Sequence, residues 1–223
     1  MKPVETLASA VAPDDSKVVL YRHDGAYLMV VDGVELMSTR RIHSEVQLAT
    51  LACAKLKERA GAAVLIGGLG FGATLKAALE QLAPHARVVV AEILPEVIAW
   101  NRNADWALAG AAMDDPRVAM RTADVIDVLR ESPAAFDAIM LDVDNGAESF
   151  TTGSNKRLYG EKGIRLAAAA LTPTGTLAYW SVDSEPAFVR ALKREGFTTA
   201  VHKVRSHATS GGYNHIILAR RPS

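Results

Sequence analysis

Short apolar runs alternate with polar turns through the first 43 residues of the chain. Three β-rich runs predict a small antiparallel meander, at 18–21, 27–31 and 34–37. Two Asp-Gly pairs separate these runs, and this pair favours the positive φ angles of tight hairpin turns. Residues 1–16 mix proline, alanine and aspartate without a period, which predicts a loose arm.

Helical periodicity follows the meander. Apolar residues recur at helical spacing from Ser44 to about Arg59, which predicts a helix over this range. Ser44 with Gln47, three residues later, predicts a capping box that satisfies backbone donors at the helix start.

The pattern changes after residue 62, where short apolar runs alternate with helical segments. The predicted strands are 64–67, 88–92, 118–121, 138–142 and 176–181, and the predicted helices are 72–83, 95–104, 124–131, 156–171 and 185–195. Strands with two apolar faces, separated by helices, predict a parallel doubly wound sheet. Two last runs, at 198–204 and 214–220, are joined by a Ser-Gly-Gly turn and predict an antiparallel hairpin.

Five parallel strands followed by an antiparallel pair are typical of the class I S-adenosylmethionine (SAM) methyltransferase fold. We therefore expect a Rossmann-like α/β catalytic domain with a seven-stranded sheet over residues 44–223. An N-terminal arm and β-meander over residues 1–43 are expected to precede it.

Composition narrows the partners of such a domain. The 223-residue chain has a formal net charge of zero, which argues against a dedicated nucleic-acid binder. No run approaches the roughly 20 apolar residues of a membrane span, and the start lacks a signal-peptide pattern. We therefore expect a cytoplasmic protein without nucleic-acid or membrane partners. The histidines lack the spacing of metal ligands, so no metal is expected.

A glycine-rich loop follows the first strand of the predicted sheet and opens a helix. Gly67, Gly68 and Gly70 would let a ligand approach the backbone closely. Glu92 ends the second strand, where a carboxylate accepts hydrogen bonds from a ribose diol, and Ile93 follows it in the same site. The alternative for Glu92 is a solvated strand end. No Lys-Ser/Thr pair follows the glycines, which disfavours a phosphate loop, and the terminal hairpin fits a SAM fold better than an NAD fold.

The third strand ends before Asp124 and Val125. An acid at this position of a class I SAM fold commonly faces the adenine amino group, and the neighbouring backbone amide reads the ring. Asp124 is also placed to cap the helix that follows, since Asp is a preferred N-cap residue. The two roles are compatible, and both stay open.

A collinear set of motifs resembles the spermidine synthase family. The motifs are Val30-Val31-Asp32-Gly33-Val34, His43-Ser44-Glu45, Gly67-Gly68-Leu69-Gly70, Glu92, Asp115-Pro116-Arg117-Val118, Asp124-Val125 and Phe136-Asp137-Ala138-Ile139-Met140-Leu141-Asp142. The resemblance extends from about residue 28 to about residue 182. It implies decarboxylated SAM as the donor of an aminopropyl group, putrescine as the acceptor and methylthioadenosine as the product. Because the family commonly dimerises, the resemblance also implies a homodimer.

Several positions depart from the family pattern. Gly70 stands where the family usually has an Asp that neutralises the donor's amine, and Glu35 with Leu36 stands where a Gln is usual. His43-Ser44-Glu45 replaces a Tyr-His-Glu motif and keeps only the acid in register. The second acid after the fourth strand is displaced by one residue, to Asp144. Because a diamine needs several carboxylates to hold two cations in a dry pocket, these changes weaken the case for putrescine.

The sulfonium of either donor is already an activated leaving group, so the protein has to align a nucleophile and remove its proton. Asp142, at the carboxyl end of the fourth strand, is the first candidate for general base or amine anchor, with a turn cap as the alternative. Asp144 and Glu45 are further catalytic candidates. The acceptor pocket is predicted to include Asn145, Tyr159 and Trp180, with a surface helix position for Tyr159 and core packing for Trp180 as alternatives.

The leading functional interpretation is a transferase that uses SAM or decarboxylated SAM to alkylate a small amine. The alternatives are a SAM-dependent small-molecule methyltransferase or SAM cyclase, and a non-catalytic nucleoside-binding protein. Gly70 favours intact SAM, because an Asp there would repel the SAM carboxylate. The acids around Asp142 favour an amine acceptor.

Overall fold

Four N-terminal strands form an antiparallel sheet in the computed structural model, which describes residues 3–106, 108–142 and 156–222. The strands lie in the order β1-β2-β3-β4, with bounds β1 Glu5–Val11, β2 Lys17–His23, β3 Ala26–Val31 and β4 Val34–Ser38. Asp24, Gly25, Asp32 and Gly33 all have positive φ. The predicted hairpin turns are therefore confirmed.

The prediction of a loose arm over residues 1–16 is wrong. Strand β1 lies within this segment and pairs with β2, from Glu5 opposite Arg22 to Val11 opposite Lys17. The alternation of β1 is weak because it is an edge strand with much of its surface exposed. Cross-strand pairing, which the sequence of one strand does not reveal, holds it in place.

A second, mixed sheet of seven strands follows within the described residues, in the order β10-β11-β9-β8-β5-β6-β7. Its strands are β5 Ala63–Gly67, β6 Arg87–Glu92, β7 Val118–Thr122, β8 Phe136–Leu141, β9 Leu171–Ser181, β10 Thr198–Arg205 and β11 Tyr213–Arg220. Strands β9, β8, β5, β6 and β7 are parallel, and β11 runs antiparallel to both of its neighbours. The predicted Rossmann-like fold with its terminal hairpin is confirmed.

Helices pack on both faces of this sheet. They are α1 His43–Cys53, α2 Ala73–Gln81, α3 Pro95–Arg102, α4 Val125–Glu131, α5 Lys156–Tyr159, α6 Glu161–Ala170 and α7 Pro186–Arg194, with a 3-10 helix at Gly110–Asp114. Gly160 adopts extended backbone between α5 and α6 and divides the helix that was predicted over 156–171. In the part of the chain that the structure describes, every helix is too short or too polar to cross a membrane.

Helix α1 differs from its prediction at both ends. It ends at Cys53 rather than near Arg59, because successive tight turns follow, with the Leu56 N–H donating to the Cys53 carbonyl. The predicted capping box is wrong. Ser44 lies inside the first turn of α1, and its hydroxyl donates to Glu45 instead of capping the helix.

The two faces of the seven-stranded sheet bury separate hydrophobic clusters. Val64 and Ile66 of β5 pack on one face with α1, α2 and the N-terminal sheet, while Leu65 packs on the other face with α4, α6 and α7. Leu20 of the N-terminal sheet belongs to the same cluster as Val64. The N-terminal sheet and the larger sheet therefore share one core, and the domain boundary at residue 43 stays a prediction.

Asp137 links the start of β8 to both neighbouring strands. Its buried carboxylate accepts hydrogen bonds from the Ala63 N–H at 3.0 Å and the Thr172 hydroxyl at 2.9 Å, and it pairs with Arg59 at 2.9 Å. These contacts tie the centre of the sheet together at the edge opposite the glycine loop.

We expect Asp137→Ala to lower the free energy of unfolding by about 2 kcal/mol, because it leaves buried donors without an acceptor. Urea unfolding followed by circular dichroism measures this change. Asp127→Ala is the matched control, since it also removes an Asp–Arg ion pair but an exposed one, and it should cost less than about 1 kcal/mol. Equal losses in the two variants would show that the Asp137 contacts contribute nothing specific.

Candidate active site

The glycine loop joins β5 to α2 at the edge where the parallel strands end. Gly72 immediately precedes α2 with φ of 75°, in the left-handed region. A Cβ at Gly72 would lie 2.4 Å from the Ala109 Cβ, so both the backbone conformation and the close approach require glycine. The predicted loop from strand to helix is thus present, with Gly67 closing β5 and Gly68 and Gly70 at positive φ.

Met37 of β4 lies directly over Gly70. A Cβ at Gly70 would come within 2.7 Å of the Met37 Cε and 3.0 Å of its Sδ. The thioether therefore occupies the space that a larger side chain at Gly70 would need. The N-terminal sheet forms a wall over the glycine loop at this point, and the chemical character of that wall is apolar.

The Asn101 side chain, on α3, is hydrogen-bonded to the glycine loop. The sequence analysis missed this role. The buried Asn101 amide donates to the Gly70 carbonyl at 2.8 Å and the Val97 carbonyl at 2.9 Å, while its oxygen accepts from the Ala109 N–H at 2.9 Å. The available signal was a single amide on the otherwise apolar face of α3, one turn after Val97.

Glu92 is buried at the end of β6, so the solvated strand end is excluded. Its carboxylate accepts from the Leu69 N–H and the Leu94 N–H, each at 2.9 Å. Burial raises the pKa of Glu92, and these backbone hydrogen bonds partly oppose that rise. The backbone N–H groups of Ile93 and Gly70 also act on this carboxylate. Glu92 therefore shapes the glycine loop, and its role in binding a ribose diol stays a prediction.

The residues predicted for the adenine lie beside Glu92. Asp124 caps α4 by accepting from the Ile126 N–H at 2.8 Å, which confirms the capping role, and Arg157 lies 3.4 Å from its other oxygen. The Val125 side chain is buried, which leaves only its backbone for a ligand, whereas Ile93 is an exposed apolar side chain. The adenine-binding role of these residues stays a prediction.

Asp142 and Glu45 form a pair of acids on the other side of the glycine loop. Asp142 follows β8, and its backbone N–H donates to the Gly67 carbonyl at 3.0 Å. The Thr74 hydroxyl, near the start of α2, lies 3.5 Å from the Asp142 carboxylate. Glu45 is buried in the first turn of α1. Two helices and a strand thus converge on these acids.

Burial raises the pKa values of both acids, and charge repulsion adds to the rise for Asp142. Loss of hydration, and secondarily the negative charge of Glu45, raise the pKa of Asp142 to about 8. Burial also raises the pKa of Glu45, against the hydrogen bond from Ser44 and the charge of Arg41. The pair therefore retains a proton near neutral pH and is poised to accept a cation or a proton.

The predicted acceptor-pocket residues occupy different environments. Tyr159 is not a surface residue: its ring is buried against Tyr179 and Phe188, with centroid separations of 5.8 and 5.2 Å. Trp180 is half-buried against the core beneath α1, and its indole N–H is buried without a hydrogen-bond partner among the described residues. Core packing of both rings is established, and a role in the pocket stays a prediction.

Two of the predicted residues, Asp144 and Asn145, lie outside the described residues. Their roles stay predictions. The described part of the chain contains no group of three or more His, Cys, Asp or Glu side chains that could hold a metal ion.

Comparison with characterised proteins points to one group of enzymes. No protein-family model matches the chain. A polyamine aminopropyltransferase from Synechococcus sp. (strain JA-2-3B'a(2-13)) is 32% identical over 166 residues, which cover 71% of this chain and 52% of the relative. The chain thus spans about half the length of the curated relative that it matches.

Solved structures share the fold over nearly the whole chain. Spermidine synthase from Thermotoga maritima has a TM-score of 0.76 at 20% identity, and the match covers 98% of this chain and 73% of that one. A spermidine synthase bound to the transition-state analogue AdoDATO has a TM-score of 0.75 at 19% identity with the same coverage. A probable spermidine synthase from Corynebacterium glutamicum ATCC 13032 has a TM-score of 0.66 at 17% identity, covering 99% and 81%. The resemblance to the spermidine synthase family is therefore confirmed.

We expect Glu92→Ala to weaken the binding of methylthioadenosine by at least about 2 kcal/mol, because two charge-assisted hydrogen bonds to the ribose would be lost. Isothermal titration calorimetry measures the affinity. Glu96→Ala, which removes an exposed acid from the first turn of α3, is the control and should bind normally. Unchanged affinity in Glu92→Ala would remove Glu92 from the ribose site.

The titration of Asp142 predicts a pH-dependent stability. Because its folded pKa is raised, the folded chain binds more protons than the unfolded chain between about pH 4 and the folded pKa of about 8. The stability from this proton is present at low pH and lost as the pH rises through that window. The effect of Asp142→Asn on the free energy of unfolding should therefore be more stabilising at pH 8.5 than at pH 5, by at least about 1 kcal/mol.

Urea unfolding at the two pH values measures this difference between variant and unmodified protein. Asp183→Asn, at an exposed acid, is the control. A stability difference for Asp142→Asn that is the same at both pH values would contradict the raised pKa.

Proposed function

We propose that this chain transfers the aminopropyl group of decarboxylated SAM to a small amine, with Asp142 and Glu45 as the acids that bind and deprotonate the acceptor. The observation that carries the proposal is the placement of these two carboxyl groups: Asp142 is bonded through its N–H to the Gly67 carbonyl of the glycine loop, and Glu45 is buried in the first turn of α1. A pair of acids with raised pKa values gains most from a bound cation, and an alkylammonium ion is such a cation.

The proton balance favours Asp142 as the general base. An alkylammonium such as that of lysine has a pKa of about 10.4 in water, far above that of an ordinary Asp. A bound cation favours the ionised form of Asp142, which can then accept the proton, and the raised pKa of this acid narrows the gap. The amine nitrogen then forms a bond to the carbon beside the sulfonium. The carbon–sulfur bond breaks, its electron pair stays on sulfur to give methylthioadenosine, and the proton resides on Asp142.

The remaining residues would bind the donor. The backbone of Gly67, Gly68 and Gly70 lies where the donor has to approach, and Glu92 would accept from its ribose hydroxyls. Ile93 would pack against the adenine, and Asp124 with the Val125 backbone would bind its edge. Asp144 and Asn145 would orient the acceptor, with Tyr159 and Trp180 near it.

The comparisons support the same reaction class. A curated relative is called a polyamine aminopropyltransferase, and one structural neighbour is a spermidine synthase in complex with a transition-state analogue. We leave the acceptor at the level of a small amine, because Gly70 removes one acid that would help to hold a diamine. A homodimer is proposed from the family resemblance alone.

A second candidate is methyl transfer or cyclisation with intact SAM. The specific observation in its favour is the Met37 thioether over Gly70. An apolar wall without an acid does not repel the carboxylate of SAM, whereas an Asp at this position would.

The first experiment titrates the purified protein with SAM, decarboxylated SAM and methylthioadenosine by calorimetry, and then assays methylthioadenosine release with a series of mono- and diamines. We expect decarboxylated SAM to bind more tightly than SAM and release to require an amine. Asp142→Asn should reduce kcat at least about 100-fold while donor affinity changes little, because general-base catalysis is lost. Asp183→Asn is the control and should retain full activity.

Each other outcome rejects the proposal in favour of a stated alternative. Preference for SAM with a methylated or cyclised product would support the second candidate. Tight nucleoside binding without turnover of any donor would support a non-catalytic binding protein. An equal effect of Asp142→Asn on kcat and on donor affinity would make Asp142 a structural residue.

A further inference from the structure

A chain of hydrogen bonds leads from the C-terminal hairpin to Glu45. Asn214 of β11 donates from its side-chain amide to the Ser44 hydroxyl at 3.0 Å, and Ser44 donates in turn to the Glu45 carboxylate at 2.7 Å. Ser44 is fully buried, and Asn214 is half-buried. Asn214 and Ser44, which are 170 positions apart in sequence, are thus in contact next to Glu45.

The chemistry of these groups fixes the direction of the chain. An ionised carboxylate only accepts hydrogen bonds, so the single proton of the Ser44 hydroxyl has to point to Glu45. The hydroxyl oxygen then presents lone pairs to Asn214, and the amide NH2 is the part of Asn214 that can donate to them. Asn214 thus supplies a donor to Ser44, and Ser44 supplies a donor to Glu45. The arrangement stabilises Glu45 in its charged form.

A backbone contact fixes the same region. The His43 N–H, at the start of α1, donates to the carbonyl of Ser206 at 3.2 Å, just after β10 ends. Helix α1 packs along β9, β10 and β11. The hairpin therefore determines where the first turn of α1 lies, and with it the position of the Glu45 side chain relative to Asp142.

We propose that Ser44 and Asn214 are positioning residues, which orient the Glu45 carboxylate and keep it ionised so that it can hold the cationic acceptor amine next to Asp142. This inference rests on the proposed function for its role in catalysis, and on the hydrogen bonds alone for its effect on Glu45. Neither residue is required to touch a substrate.

Arg41 is the charged group that favours the ionised form of Glu45, and the charge of Glu45 in turn raises the pKa of Asp142. Removing the Ser44 hydroxyl takes away a hydrogen bond that lowers the pKa of Glu45, so the pKa of Glu45 should rise. At neutral pH less of the enzyme would then carry the charge that binds the amine. At high pH the carboxyl ionises in either case, so the deficit should disappear.

Kinetics with decarboxylated SAM and the best amine test this prediction. We expect Ser44→Ala to raise the KM for the amine about tenfold at pH 7, with the donor KM changed less than about twofold, because a hydrogen bond to a charged group is lost. The ratio of amine KM values, variant over unmodified enzyme, should fall toward one at pH 9. Loss of packing alone would not be reversed by pH, so a ratio that stays constant would overturn the proposal.

A double-mutant cycle separates the two residues. Asn214→Ala should have a smaller effect in the same direction, and the double variant Ser44→Ala/Asn214→Ala should equal Ser44→Ala alone, because Asn214 acts through Ser44. Thr198→Ala is the matched control, since it removes a hydrogen bond from the opposite end of the same hairpin, and it should leave the amine KM unchanged. Additive effects in the double variant would overturn the relay.

A titration without substrates distinguishes failure of this inference from failure of the proposed function. Carbon-13 NMR of labelled glutamate carboxyl groups, assigned with Glu45→Gln, should report a higher pKa of Glu45 in Ser44→Ala than in the unmodified protein. If this shift occurs and no donor is turned over, the proposed function is wrong, but the effect of Ser44 on the pKa of Glu45 is confirmed. If the enzyme transfers aminopropyl groups and the pKa of Glu45 is unchanged by Ser44→Ala, the inference is wrong and the function stands.

Discussion

The placement of two acids at one point, with Glu45 buried and Asp142 half-buried, is the constraint on which the rest of the site depends. Loss of hydration raises the pKa of both Asp142 and Glu45, and the charge of Glu45 raises the pKa of Asp142 further. A fold tolerates this arrangement only if the surrounding contacts fix it in place, because each acid would otherwise move toward water. The Gly67 carbonyl, Thr74 and Ser44 supply those contacts, and they come from β5, α2 and α1.

The N-terminal segment is therefore part of the site rather than an appendage. Met37 covers the glycine loop, and α1 carries Glu45 against the larger sheet. Leu20 and Val64 share one hydrophobic cluster, so the energy that packs the small sheet also fixes the wall of the crevice. The same packing explains why Gly70, without a side chain of its own, still has a defined chemical surface above it.

Local patterns predicted the elements well, and contacts between distant residues account for what they missed. The strand–glycine–helix order, the acid at Glu92 and the cap at Asp124 each follow from a few neighbouring residues, and the structure contains all three. Strand β1 was missed because its partner, β2, supplies most of what holds it. Asn101 was missed because its role depends on the Gly70 carbonyl, 31 residues away. Ser44 looked like a helix cap in sequence, since nothing local reveals that its hydroxyl donates to Glu45 and accepts from Asn214.

The position of the acids also explains why this site departs from its relatives without losing their fold. The sheet sets the backbone of Gly67, Glu92 and Asp142 through strand pairing, which depends on apolar side chains and not on the identity of the acids. Gly70 and Ser44 lie outside these strands, yet both are constrained, since a Cβ at Gly70 would meet Met37 and Ser44 is bonded to Glu45 and Asn214. The fold thus fixes the positions of the strand ends, and it does not by itself require that an acid stand there. Under the proposed function, the donor and the cation that this site binds therefore depend on the side chains at these positions and not on the sheet itself.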